Sequence, residues 1–131
     1  MRDPPQQTLA WRWFRFRLPA DWELTGYSTA PARGQMMFNT RRDLEGQLAW
    51  RLCPRPPDLE LTLTEAWKRT AASADQADPG AECRMTRAGA FSVAGADGEN
   101  PVHAGIFLEE EKVFLHWIFP GRSAPRTEAV W

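Results

Sequence analysis

The chain has 131 residues, the usual length of a single domain, and a domain of this size buries enough surface to fold without disulfides or metal. Its residues are 43% hydrophobic and 25% charged, as in ordinary folded proteins, which excludes disorder as the main state. The net charge of -1 excludes a general attraction to nucleic acid or to anionic membranes.

Residues 1–9 are mostly polar and contain two prolines, so we expect a flexible leader before a single domain over residues 10–131. The leader lacks the apolar segment of a signal peptide, and no run of about 18 apolar residues occurs in the chain. Cys53 and Cys83 stand far apart outside any CxxC motif, which favours reduced thiols over a disulfide. These features predict a cytoplasmic protein that does not insert into a membrane.

The first predicted strand covers residues 11–18, where aromatic residues alternate with arginines. Phe14 and Phe16 fall on one face of this strand. Arg15 and Arg17 fall on the other face, and such a period of two is typical of a strand with one buried side. A second extended segment follows over residues 22–28.

Residues 35–39 and 47–53 predict two more strands, because a polar connection of hairpin length separates them. We expect these two strands to pair antiparallel. The proline-rich residues 54–57 end this part of the sheet, since proline cannot donate a hydrogen bond to a central strand.

The clearest helical pattern covers residues 63–74. Thr62 and Glu65 have the spacing of a capping box, in which each side chain satisfies a free backbone N–H group. The apolar residues repeat every three to four positions and form one face centred on Trp67. This face is expected to contain Leu63, Ala66, Trp67, Thr70, Ala71 and Ala74.

Two short strands are expected over residues 82–86 and 90–94, and a hairpin follows them. Its strands cover residues 102–108 and 113–119, on either side of an acidic turn. Because the second of these strands is apolar on both faces, we expect it to be a central strand that is covered on both sides.

The register of this hairpin brings the two histidines of the chain together. A turn centred on residues 110–111 places His103 and His116 on one face as diagonal neighbours about 7–8 Å apart. In this register Ile118 faces His103, and Gly105 faces His116.

These elements predict an α+β fold in which an antiparallel sheet of about six or seven strands packs against one main helix. Residues 126–131 begin a helical pattern, so we also expect a short C-terminal helix. The apolar Trp131 indicates either a tail that docks on the sheet or a natural chain that continues further, with the domain truncated here.

Two segments resemble short motifs of the Mog1/PsbP-like group. Residues 14–22 are similar to the entry strand of that group, in which an apolar strand is followed by Pro and then Trp. Residues 112–120 are similar to its late core strand, which ends at Pro before a C-terminal helix. The resemblance covers residues 10–131 and implies a curved antiparallel sheet flanked by helices.

The resemblance also implies a binding function. Members of the group include a partner of a small nuclear GTPase, an extrinsic photosystem subunit and bacterial chaperones that shield apolar segments of secreted effectors. The group shares no catalytic motif, so it assigns no role to any residue of this chain.

The composition itself favours a protein-binding function. The chain has seven tryptophans but no phosphate-binding glycine loop and no hydrolase elbow. We therefore predict a non-enzymatic protein-binding, scaffold or chaperone-like module, without cofactor or metal, that uses a Trp-rich sheet face or a groove beside the helix. Its partner would be another protein or a second copy of the chain. The candidate contact residues are Trp11, Trp13, Arg15, Arg17, Trp50 and Arg51.

Two other functions stay open. His103 and His116 are candidates for a ligand-binding or enzymatic site, in which they would bind a metal together with one nearby Cys or acid, or exchange a proton near neutral pH. The Trp- and Arg-rich first strand has the composition of a surface that stacks single-stranded nucleic acid. The net charge of the chain argues against strong phosphate binding, so we expect nucleic acid less than a protein partner.

Overall fold

The computed structural model describes residues 5–12, 14–30, 32–41, 43–73, 83–96 and 101–120. The strands of this part are β1 (Gln6–Trp11), β2 (Phe14–Pro19), β3 (Glu23–Thr29), β4 (Arg33–Asn39), β5 (Leu44–Leu52), β6 (Arg84–Ala88), β7 (Phe91–Gly95), β8 (Val102–Leu108) and β9 (Val113–Phe119). The helix is α1 (Leu59–Ser73). The predicted α+β class is confirmed, because one antiparallel sheet packs against this helix.

The main sheet has seven strands in the order β3-β4-β5-β9-β8-β7-β6, and β1 and β2 form a separate two-stranded sheet. Strand β9 lies in the middle of the main sheet, as its apolar sequence predicts. Its consecutive residues Val113, Phe114 and Leu115 are all buried, so both faces of the strand are covered. The predicted pairing of the strands now called β4 and β5 is also confirmed as antiparallel.

The register of the β8–β9 hairpin is the predicted one. Ile118 lies opposite His103, and His116 lies opposite Gly105. The two histidines therefore share one face of the sheet.

The β1–β2 hairpin covers one face of the main sheet, and α1 covers part of the other. Phe16 in β2 contacts Trp117 in β9 edge to face, with ring centroids 5.2 Å apart. On the opposite face, Leu63 and Trp67 of α1 pack against Phe114. The Trp67 indole Nε1 donates a hydrogen bond to the carbonyl oxygen of Pro101 at 3.0 Å, which satisfies its polar atom.

The helix covers only one side of its sheet face. Its main contacts are with β7 and β8, so the same face over β4 and β5 lies beside the helix rather than under it. The candidate site lies on this uncovered part of the sheet.

The predicted leader is wrong for residues 6–9, which form most of β1. They pair antiparallel with β2. The predicted single strand over residues 11–18 therefore contains the end of β1, a turn at Arg12 and most of β2. Arg12 makes the turn with a φ of 42°. A turn with positive φ usually carries Gly or Asn, so an arginine at this point gives no sequence signal for a hairpin.

The helix begins four residues before its predicted start. The carboxylate of Asp58 accepts a hydrogen bond from the backbone N–H of Leu61 at 3.1 Å, so Asp58 caps the helix and the predicted capping box does not. The earlier start also packs Leu59 against the Phe114 cluster. The predicted helical end at Ala74 lies outside the described residues.

The remaining predictions have mixed outcomes. The two short strands form β6 and β7 within two residues of their predicted positions. Cys53 and Cys83 are free thiols, as predicted. The predicted C-terminal helix over residues 126–131 lies outside the described residues. Within the described part of the chain, no helix has both the length and the apolar surface needed to span a membrane.

Candidate functional site

Two of the tryptophans that were predicted to form a contact surface, Trp11 and Trp50, pack into the core instead. Trp50 is only 2% exposed, so its assignment to a contact surface is wrong. It lies on the β1–β2 side of the sheet, where the half-buried Trp11 packs against it with ring centroids 6.5 Å apart. Because side chains alternate along a strand, the exposed Arg51 lies on the opposite face.

The other predicted contact residues lie on separate surfaces. Arg15 and Arg17 are exposed on β2, on the outside of the small hairpin. Arg51 is on the helix side of the main sheet, and Trp13 lies outside the described residues. The five of these residues that the structure describes therefore do not form one patch.

In the described part of the strand predicted over residues 11–18, few exposed rings are offered to a nucleic acid. Its predicted alternation is confirmed, with Phe14 buried, Phe16 partly buried, and both packed into the core. Stacking of bases needs exposed aromatic faces, and here the exposed positions of β2 carry arginines instead. We therefore do not propose nucleic-acid binding.

A cavity of about 550 Å³ lies on the helix side of the sheet, over β4, β5 and β9, and we call it the sheet groove. Its lining residues are Ser28, Ala30, Arg33, Gly34, Gln35, Ala49, Trp50, Arg51, Phe114 and His116.

Two arginines meet at the sheet groove. Arg33 in β4 lies directly opposite Arg51 in β5 in the antiparallel register. The Arg51 guanidinium carbon lies 5.3 Å from the centre of the Phe114 ring, and that ring lies 5.6 Å from the His116 ring. A cation, an aromatic ring and an imidazole therefore follow one another along this part of the groove.

Sequence reasoning missed Arg33, and the cause is a local irregularity. A shift of register between Phe38 and Asn39 displaces the pairing by one residue, so counting back from the turn does not place Arg33 opposite Arg51. Phe114 was read only as part of a buried strand. The approach of β5 to β9, which brings Arg51 beside Phe114, is a long-range pairing that the local pattern does not specify.

The two histidines are in direct contact. His103 Nδ1 lies 2.8 Å from His116 Nε2, and His103 Nε2 lies 3.0 Å from the Thr70 hydroxyl of α1. His103 is 1% exposed, whereas His116 is less deeply buried and lines the sheet groove. The predicted proximity of the two histidines is thus correct. The contact between His103 and Thr70 was not predicted, because it forms only when α1 docks on the sheet.

The expected proton exchange near neutral pH does not fit this environment. Burial and the nearby charge of Arg69 lower the pKa of His103 to about 4. Burial also lowers the pKa of His116 to about 4, with further contributions from His103, Arg51 and Arg69. Both rings are therefore neutral at pH 7, and each has one N–H donor and one bare acceptor nitrogen.

The described residues contain no group of three or more His, Cys, Asp or Glu side chains placed to hold a metal ion. Zinc sites use at least three protein ligands, so the histidine pair by itself is not such a centre.

No protein-family model, curated protein or solved structure matches this chain significantly. The resemblance to the Mog1/PsbP-like group therefore stays a prediction that depends on two short segments. What the protein does must be inferred from the chemistry of the sheet groove.

Proposed function

We propose that this protein is a binding domain that takes a small anionic ligand with a flat apolar part in the sheet groove. The observation that carries this proposal is the pair formed by Arg33 and Arg51, which face each other across two strands in a groove with no acidic residue in its described lining.

Like charges directly opposite each other in a sheet lower stability. A bound carboxylate or phosphate offsets that repulsion, and the guanidinium group matches the geometry of both anions with two parallel hydrogen bonds. An arrangement that is unfavourable in the empty protein thus becomes favourable when an anion binds.

The rest of the lining supports an apolar part of the ligand beside the anion. Phe114, although only 3% exposed, lines the groove beside Arg51, and the small Ala49 lies opposite His116. The volume of about 550 Å³ lies within the range of roughly 300–1,000 Å³ that is usual for small-molecule sites.

Binding of benzoate and phenyl phosphate, measured by calorimetry and by NMR shifts of backbone amides, tests this proposal. We expect shifts at Ala49, Arg51 and His116, and an affinity loss of about tenfold or more in Arg33→Gln and Arg51→Gln, because each variant loses a charged hydrogen bond. Arg15→Gln is the matched control on another surface, and neutral benzamide is the matched ligand. Equal affinity of both groove variants and the wild type would contradict the proposal.

A second candidate function, self-association, is supported by an exposed sheet edge. Strand β3 is an outer strand of the main sheet, and its Tyr27 and Leu24 are 71% and 46% exposed. Apart from Glu23 at its start, it carries no charged residue and no Pro, and such residues usually protect an edge from pairing. The other outer strand, β6, carries the exposed residues Arg84 and Arg87.

We propose that two copies of the chain pair along β3. Sedimentation velocity over a series of concentrations is expected to show dimers in the wild type and weaker dimerisation in Tyr27→Lys, since a charge at the edge opposes pairing. Thr86→Lys on β6 is the control and is expected to leave the association unchanged. A wild type that stays monomeric at all concentrations would refute this proposal.

A further inference from the structure

The contacts around Thr70 determine which nitrogen of each histidine carries its proton. The Thr70 hydroxyl donates a hydrogen bond to the carbonyl oxygen of Ala66 at 3.0 Å, and a carbonyl oxygen can only accept. The single hydroxyl proton is thus used in the helix. The contact at 3.0 Å between Thr70 Oγ1 and His103 Nε2 therefore requires that His103 is the donor.

The position of the proton on His103 determines the position of the proton on His116. A neutral imidazole that has its proton on Nε2 has a bare Nδ1, which can only accept. His103 Nδ1 lies 2.8 Å from His116 Nε2, so His116 donates from that nitrogen. Its own Nδ1 is then bare and is the one hydrogen-bonding atom that His116 can offer to the sheet groove.

The alternative with a protonated, doubly donating ring is unfavourable at neutral pH. Burial keeps the pKa of both rings at about 4, with a contribution from the charge of Arg69 at His103, and from His103, Arg51 and Arg69 at His116. The hydrogen bonds that connect His116, His103, Thr70 and Ala66 therefore all donate in one direction, from His116 toward Ala66.

This direction complements the arginines of the groove. Arg33 and Arg51 are donors only, whereas His116, whose ring lies 5.6 Å from the Phe114 ring, presents an acceptor. We propose that the sheet groove selects an aromatic acid that also carries an N–H or O–H donor, with the acid group on the arginines and the donor on His116 Nδ1. This inference rests on the proposed function and names the ligand class of the same site.

An acid without such a donor is expected to bind with lower affinity because of desolvation. It covers His116 Nδ1 and removes its water without replacing the hydrogen bond, and an unsatisfied buried acceptor is costly. We expect a preference of about tenfold or more for the donor-bearing acid, since the site's own polar atom is otherwise left without a partner.

Calorimetry at pH 7.5 with matched probes tests the selection. The probes are 3- and 4-hydroxybenzoate, which carry a donor, and 3- and 4-methoxybenzoate, which do not. We expect at least one hydroxybenzoate to bind about tenfold or more tightly than its methoxy counterpart. In Thr70→Val, His103 Nε2 loses its acceptor, so the direction of the hydrogen bonds between the two histidines is no longer imposed. We expect the preference for the hydroxybenzoate to fall several-fold in this variant. Thr62→Val on the same helix is the matched control.

Long-range ¹H–¹⁵N spectra of the free protein give an independent readout. We expect the proton on Nε2 in both rings of the wild type and in Thr62→Val, and a change of tautomer population in Thr70→Val. A proton on His116 Nδ1, or equal affinities for hydroxy and methoxy acids, would overturn the donor selection and leave the groove as an acid site. Failure of every benzoate, including benzoate itself, to bind would overturn the proposed function and this inference together.

Discussion

Replacing Trp50 by alanine is expected to lower the free energy of unfolding by about 3–5 kcal/mol, because the ring is a central part of the core. Trp50 is 2% exposed and contacts the rings of Trp11 and Phe14. Its ring also lies over Gly34, where an added Cβ would come within 2.2 Å of it, so the neighbouring strand is shaped around this side chain. A stability loss of this size is a large share of what a small domain has.

Chemical denaturation of the purified variant measures this loss. Arg51→Ala is the matched control, since it changes the adjacent, exposed residue of the same strand, and we expect a change within about 0.5 kcal/mol. The comparison separates a core residue from a contact residue. If Trp50→Ala were as stable as the wild type, the sequence-based assignment of Trp50 to a contact surface would regain its support.

The histidine pair is expected to make the protein lose stability between pH 6.5 and about 4. Above pH 6.5 both rings are neutral in the folded and the unfolded chain. Below it, the unfolded histidines bind protons, whereas the folded rings stay neutral until the pH reaches their lowered pKa of about 4. The unfolded state then binds more protons, so the free energy of unfolding falls as the pH falls.

We expect the pair to account for about 3 kcal/mol of this loss, after allowance for solvent screening of the partly exposed His116. Urea denaturation at pH values between 7 and 4 gives the slope. Carboxylates also titrate in this range, so the measured quantity is the difference in slope between the wild type and the double variant His103→Gln/His116→Gln. Equal slopes in the two proteins would show that the histidines are not responsible.

Several structural features could be predicted because they depend on short stretches of chain. The period of two in β2 identifies its buried and exposed sides, and the apolar residues on both faces of β9 identify a central strand. The tight acidic turn between β8 and β9 sets their register, and that register is enough to place His103 and His116 on one face. Each of these conclusions depends on neighbours within about 20 residues, where chain connectivity limits the alternatives.

Other features escaped prediction although they are also local. The β1–β2 turn at Arg12 lacks the residues that usually adopt a positive φ, and the start of α1 has two competing caps. The structure uses Asp58 rather than Thr62, because the additional turn brings Leu59 onto the sheet. Local capping preferences differ by too little to decide between two such sites, and burial of an apolar side chain decides it instead.

The sequence by itself determined that this chain folds as a sheet with one main helix, and that its two histidines are neighbours. Only the tertiary structure decided which aromatic residues are core and which cations share a site. The pairing of β5 with β9 places Trp50 in the core and brings Arg51 beside Phe114, and the docking of α1 joins Thr70 to His103. These contacts link distant parts of the chain, and their geometry follows from how the layers pack, which local periodicity does not encode.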